Sequence, residues 1–79
     1  MAASFQGGTV LSALELGTRR VIAEYTDPFI AGKLISMGIL PGSEVEIVRR
    51  SLFGNSIYAK IEYSLVALRK EEAACIVLR

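Results

Sequence analysis

The segment that most restricts the fold of this chain is DPFIAGKLISMG, because its start and stop signals leave room for one short helix. Asp27 can cap the helix N-terminus with its carboxylate, and Pro28 suits the first helical position, where an N–H is not required. Apolar residues then recur at the spacing of one helical face: Ile30, Leu34 and Met37. Gly38 can adopt the left-handed conformation that ends a helix. We therefore predict a helix near residues 28–37.

A tight turn and a hairpin are predicted after this helix. Leu40-Pro41-Gly42-Ser43 has proline and glycine at the central positions of a type II turn. The alternating run Glu44–Val48, continued by two arginines, is typical of a half-buried strand. After the turn cluster Phe53–Ser56, a second set of residues alternates with polar ones and is expected to share one strand face: Ile57, Ala59, Ile61 and Tyr63. Two such strands joined by a short connection predict a hairpin.

The rest of the chain contains short elements only. Further strands are predicted at residues 18–25, 65–68 and 75–78, and single helical turns at residues 11–17 and 69–73. In the first of these turns, Leu11 and Leu14 are expected to dock on the core. About five strands and one real helix favour an all-β fold class, mainly a small, partly open β-barrel. Residues 1–9 are predicted to be a loose tail and residues 10–79 a single domain.

Composition excludes several kinds of site. The 79-residue chain has a net charge of +1, no histidine and one cysteine, Cys75, so we expect a buried, inert thiol and no internal disulfide. Without histidine the commonest general base and metal ligand are missing, and we predict no catalytic residue, no metal ligand and no cofactor. The carboxylate pairs of the sequence are expected to be solvated charges: Glu44 with Glu46, and Glu71 with Glu72.

The apolar runs, the N-terminal pattern and the net charge also indicate where the protein is located and what it binds. No apolar run approaches the length of a transmembrane helix, and the N-terminus MAASFQGGTV lacks the pattern of a signal peptide, so a cytoplasmic protein is expected. The nearly balanced charge does not favour nucleic acid or direct membrane insertion. A protein partner therefore remains the main expectation, and a weak homo-oligomer stays open.

Three sequence blocks, in order and at matching distances, carry a family resemblance. The first block consists of Leu34, Met37, Gly38, Pro41 and Gly42; the second of Gly54, Asn55 and Ile57; the third of Leu68, Arg69 and Lys70. Together they resemble the FeoA-like proteins of bacterial ferrous iron uptake, and the match extends over roughly residues 11–78. The chain departs from the family pattern at two positions: it has Ser56 where proline is frequent and Tyr63 where glycine is frequent. These departures bear on whether its partner surface is the same as that of the family.

The resemblance implies a fold and a role. It implies an SH3-like β-barrel with a helix inserted after the first strand, and a small cytosolic accessory of a GTPase-containing ferrous iron permease. It also implies, at the level of the family, an association with the binding of transition metal ions. The alternative is a metal-sensing or ligand-sensing module related to the C-terminal domain of iron- and manganese-dependent repressors. The chain contains no DNA-binding part, which favours the accessory protein.

Most residues of the matching blocks are expected to serve the fold rather than a partner. Leu34, Met37 and Leu68 are predicted core residues, and Gly38, Pro41, Gly42 and Gly54 are predicted to set backbone angles. The candidate partner-binding residues lie elsewhere: Arg49, Arg50, Leu52, Phe53, Tyr58, Arg69 and Lys70. Leu52 and Phe53 are either a docking anchor or a cover over one barrel end. The four cations form either a basic patch for an acidic protein or ordinary charges of strand edges.

Overall fold

The computed structural model describes residues 9–79, which form one open antiparallel sheet with two helices and a short 3₁₀ turn. The strands are β1 (Thr9–Val10), β2 (Arg19–Tyr25), β3 (Glu44–Arg50), β4 (Ser56–Ile61), β5 (Ser64–Arg69) and β6 (Ile76–Leu78). The helices are α1 (Pro28–Ser36) and α2 (Lys70–Ala73), and the 3₁₀ turn is Leu11–Ala13. The spatial order of the strands is β1-β6-β2-β3-β4-β5, with β1 and β5 at the two edges. Within residues 9–79, no helix is both long enough and apolar enough to cross a membrane.

The predicted fold class is confirmed, and the structure adds one strand to it. The chain is mainly β, with α1 inserted between β2 and β3. The sixth strand is β1, where Thr9 and Val10 pair with Leu78 and Val77 of β6. Two residues are too few for a periodic signal, so the sequence did not indicate this strand. The predicted loose tail, apart from Thr9, lies outside the described residues.

Helix α1 begins and ends where its local signals predict. The Asp27 carboxylate accepts hydrogen bonds from the N–H groups of Phe29, at 2.9 Å, and of Ile30. Gly38 has a φ of 83° and its N–H donates to the Ile35 carbonyl at 2.9 Å, which closes the helix C-terminus. The predicted turn after it also forms, with the Ser43 N–H donating to the Leu40 carbonyl at 3.0 Å.

The core lies under one face of the sheet and is closed by α1 and by the 3₁₀ turn. Its fully buried large side chains come from all parts of the chain: Leu11, Ile22, Leu34, Ile39, Val45, Ile47, Ile57, Leu68, Ile76 and Leu78. Leu14 is also buried, as predicted, and Cys75 is only half-buried. Every fully buried side chain of roughly leucine size contributes about 1.5–3 kcal/mol, so this cluster is the main source of stability.

Two residues predicted to continue an apolar face are exposed: Met37, predicted as a core residue, and Tyr63, predicted to share a strand face with Ile57, Ala59 and Ile61. Met37 is 46% exposed and lies at the C-cap, one residue beyond the end of α1 at Ser36. Tyr63 is 97% exposed because β4 ends at Ile61, so that Tyr63 belongs to the turn before β5 and not to the strand face. Both predictions were wrong for the same reason, since the apolar period continued in the sequence beyond the end of the element.

Candidate functional site

The tip of the β3–β4 hairpin exposes two large apolar side chains. Leu52 is 91% exposed and Phe53 is 83% exposed. The tip is held from within, because the Gly54 N–H donates to the Ser51 carbonyl at 3.1 Å and the Ser56 N–H donates to Ser51 Oγ at 3.0 Å. The alternative prediction, that the pair covers one end of the barrel, was wrong. The two side chains are free to contact another molecule.

A bulge next to the tip decides which arginine faces outward. Ile47 pairs with Ala59, but the following pair is Arg49 with Tyr58, so Val48 is an extra residue in β3. Beyond Val48 the alternation of faces is inverted. Arg49 therefore lies with Tyr58 on the outer face of the sheet, and Arg50 turns toward the side of the core.

Arg50 is used inside the protein. Its guanidinium group donates to the backbone carbonyl of Ser12 at 3.0 Å and to that of Leu14. The side chain is half-buried, and it ties the end of β3 to the 3₁₀ turn. The structure thus separates Arg50 from the other predicted partner-binding residues and gives it a stabilising contact instead.

The remaining cations flank the tip on the outer side. Arg49 stacks on the ring of Tyr58, with its guanidinium carbon 4.5 Å from the ring centre. Arg69 pairs with Ser56 at the start of β4, and the Lys70 N–H donates to the Asn55 carbonyl at 3.1 Å. Both side chains are exposed. We use the name tip surface for Leu52, Phe53, Arg49, Tyr58, Arg69 and Lys70.

The tip surface combines an apolar pair with unpaired positive charge. Among the described residues, no carboxylate forms a salt bridge with Arg49, Arg69 or Lys70. Three of the four predicted cations are exposed near the tip, and β4 separates Arg49 from the two others, so the basic patch stays a prediction. Such a surface is chemically suited to an acidic protein partner that offers an apolar pocket.

Glu72 was predicted to be a solvated charge, and this prediction was wrong. The residue is 6% exposed, and its carboxylate accepts hydrogen bonds from Lys33 Nζ and, at 2.9 Å, from the Arg69 N–H. The hydrogen bond from Lys33 is the main reason that the pKa of Glu72 is lowered from its usual value. A glutamate at the third position of a short helix is a capping signal that could have revealed this contact. The hydrogen bond between Lys33 and Glu72 joins α1 to α2.

The other polar features of the described residues serve the fold. The Tyr25 hydroxyl donates to the Ile39 carbonyl, and burial raises its pKa. A shallow cleft on the outer face lies between Arg19, Glu46 and Tyr63, and Arg19 forms an ion pair with Glu46 at 3.3 Å. Residues 9–79 contain no group of three or more His, Cys, Asp or Glu residues placed to hold a metal ion.

Comparisons with known proteins agree on the family. The FeoA domain sequence model matches residues 9–79. A FeoA-like protein from Clostridium acetobutylicum is similar in structure, with a TM-score of 0.81, 27% identity, and coverage of 91% of this chain and 85% of that one. FeoA of Stenotrophomonas maltophilia was solved with zinc and put forward as a ferrous iron transport activating factor. It has a TM-score of 0.78 and 29% identity, with coverage of 90% of this chain and 89% of that one. No curated protein gives a significant sequence match.

A third comparison shows the fold alone. A manganese-dependent transcriptional repressor has a TM-score of 0.82 and 24% identity, with coverage of 91% of this chain and 36% of the repressor. The open six-stranded sheet with its inserted helix thus defines a small SH3-like domain. The match over residues 9–79 is nearly the whole chain, and the chain belongs to the FeoA family. This family is related to ferrous iron transport.

Proposed function

We propose that this protein is a cytoplasmic accessory of ferrous iron uptake that binds the cytosolic domain of a GTPase-containing iron permease. The observation that carries the proposal is the tip surface, where Leu52 and Phe53 are almost fully exposed beside three cations. Large apolar side chains that are exposed together often mark an interaction site, because a partner that buries them gains binding free energy. The family relationship to iron transport supports a transport protein as that partner.

We propose that the protein shifts the populations of two conformations of the permease domain and catalyses no reaction. If the tip surface binds one conformation of the permease domain better than another, it shifts the equilibrium by the difference in binding free energy. Leu52 and Phe53 would supply most of the affinity, and Arg49, Arg69 and Lys70 would mainly speed association with an acidic surface. A rate of association that falls with added salt is therefore expected, while dissociation depends on the apolar pair.

The test is a binding titration with the cytosolic GTPase region of the permease. The double variant Leu52→Ser/Phe53→Ser is expected to weaken binding at least about thirtyfold, the effect of losing a hot spot of about 2 kcal/mol. The matched control is Phe29→Ser, because Phe29 is 89% exposed but belongs to α1 and not to the tip surface. Equal affinity for the double variant and the control would refute the assignment of the tip surface.

A second function, metal or ligand sensing, has support from the fold shared with the manganese-dependent repressor. Calorimetric titration of the full chain with Fe²⁺, Mn²⁺ and Zn²⁺ separates it from the accessory function. A dissociation constant below about 1 µM, equivalent to roughly 8 kcal/mol, would contradict a protein that acts by partner binding alone. Heat changes at the level of buffer dilution are expected instead.

A further inference from the structure

Strand β5 has an unpaired edge. It is the last strand in the sheet order and pairs only with β4, over six residue pairs from Ser56–Arg69 to Ile61–Ser64. At its end the Lys70 N–H donates to the Asn55 carbonyl. Even-numbered residues therefore direct their N–H groups toward β4, and the backbone N–H and C=O groups of Leu65 and Ala67 point to the free side, whereas the Arg69 N–H already donates to the Glu72 carboxylate. Within residues 9–79 no strand satisfies them.

This edge lacks the devices by which proteins usually prevent pairing. Residues 64–68 are Ser-Leu-Val-Ala-Leu, with no charge and no proline, and the pairing of β5 with β4 has no bulge. The pairings of β2 with β6 and of β3 with β4 are both bulged. Leu65 is 69% exposed, and Ala67 is also exposed on the same outer face. A regular, apolar and open edge is suited to adding another strand.

We propose that this edge pairs with β5 of a second copy of the chain, antiparallel and about a two-fold axis perpendicular to the sheet. With such an axis, the outer faces of both copies lie on the same side of the joined sheet. In such a pair the outer faces must match, and the outward N–H and C=O groups must bond to each other. Both conditions are met only in registers that place odd-numbered residues opposite odd-numbered residues. Identical strands with a regular pattern meet this requirement without distortion.

The register centred on Val66 is the one that the side chains favour. It places Leu65 opposite Ala67 of the second copy, so that the exposed apolar side chain gains an apolar neighbour. Tyr63, in the turn just before β5, then lies near Arg69 of the second copy, so that a cation is close to a ring that is 97% exposed. The chain already uses the same pair across its own strands, in Arg49 over Tyr58. A shift by two residues in one direction would set Leu65 opposite Arg69, and a shift in the other direction would set it opposite Leu65 but would pair only residues 64–66 of β5.

Charge also favours a second copy over an unrelated strand. The turn before β5 carries an exposed acidic residue, Glu62, whose carboxylate also accepts a hydrogen bond from the Glu44 N–H. The sheet has exposed basic groups, Arg69 and Lys70, at the end where β5 finishes. Antiparallel pairing brings the basic end of each copy beside the acidic end of the other. The contact is one six-residue strand wide, which is small for a stable dimer, so association is expected only at high concentration.

The test is sedimentation equilibrium of the full chain from about 10 µM to about 1 mM. The wild-type chain is expected to form dimers in this range. Ala67→Pro removes an N–H that points away from β4, so the monomer keeps its sheet while the dimer loses that hydrogen bond twice. We expect the dimer dissociation constant to rise about thirtyfold. Circular dichroism of the variant checks that it remains folded, and Ala67→Lys is the second variant if it does not.

Charge reversal tests the antiparallel arrangement. Arg69→Glu alone and Glu62→Lys alone are each expected to weaken self-association about threefold, because like charges then meet at both ends of the contact. An equimolar mixture of the two variants restores opposite charges at both ends, and heterodimers should form preferentially. The tip variant Leu52→Ser/Phe53→Ser is the matched control and should dimerise like the wild type.

Three results would overturn the proposal. The first is a wild-type chain that stays monomeric at about 1 mM. The second is a dimer that the tip variant abolishes and that neither Ala67→Pro nor Ala67→Lys affects. The third is a monomer whose β5 amides become protected from hydrogen exchange only when the permease region is added, which would assign the edge to that partner instead.

Discussion

Removing the Glu72 carboxylate is expected to cost this small domain much of its stability. Glu72 is 6% exposed, and its carboxylate oxygens accept from Lys33 Nζ and from the Arg69 N–H. A hydrogen bond to a charged group is worth about 1.5–3 kcal/mol, but the Lys33 contribution is reduced because that side chain is largely solvated. We expect Glu72→Ala to lower the free energy of unfolding by about 2 kcal/mol, which lowers Tm by about 8–16 °C.

The chain offers a matched control in the preceding residue. Glu71 lies in the same first turn of α2, has the same side chain and is exposed. Glu71→Ala removes the same charge from the same helix end, so any effect through the helix dipole is common to both variants. Its Tm is expected to change by no more than a few degrees. Thermal unfolding followed by circular dichroism gives both values.

The pH dependence gives a second test of the same contact. The pKa of Glu72 is lowered in the folded state, so its contribution to stability is complete above the ordinary glutamate pKa of about 4.3 and is lost as pH falls through the lowered value. The difference in stability between the wild type and Glu72→Gln should therefore be constant near neutral pH and shrink in acid. Equal Tm shifts for Glu71→Ala and Glu72→Ala, or a difference that grows in acid, would refute the reasoning.

Three further substitutions test the backbone and the role of Arg50. Gly32→Ala should stabilise the protein by about 0.5–1 kcal/mol, because Gly32 lies inside α1 and an added Cβ would have no atom within 4 Å; an unchanged or lower Tm contradicts this. Gly38→Ala should destabilise it by about 1–2 kcal/mol because of the φ of 83°, and the two alanine variants are each other's control. Arg50→Ala should cost about 2 kcal/mol and speed amide exchange near Leu14, with Arg50→Lys recovering part of the loss.

Local signals in the sequence were sufficient for the elements whose ends depend on their own residues. Asp27 and Gly38 define α1, since one supplies the capping carboxylate and the other can adopt a positive φ at no steric cost. Gly42 and Gly54 mark their turns for the same reason. The two strands of the hairpin followed from a period of two, three others from β-branched, aromatic or apolar composition, and the family from the order of the three blocks. Each element needs only residues within a few positions of one another.

The face that each side chain occupies at the tip was decided only by the tertiary structure. The alternation of β3 alone would place Arg49 inward and Arg50 outward, but the bulge at Val48 inverts it. With the bulge, Arg50 faces the carbonyl groups of Ser12 and Leu14 and donates to both, a contact between residues far apart in the chain.

Glu72 shows the same division between sequence and structure. Its type and its place in α2 are visible in the sequence, but its burial depends on Lys33, 39 residues away, reaching it from α1. The family, the helix, the turns and most of the strands could be predicted from the sequence, because they depend on residue types at short or fixed spacings. The tertiary structure decided which charges are paired and which remain free, because pairing depends on the side chains that the fold brings together.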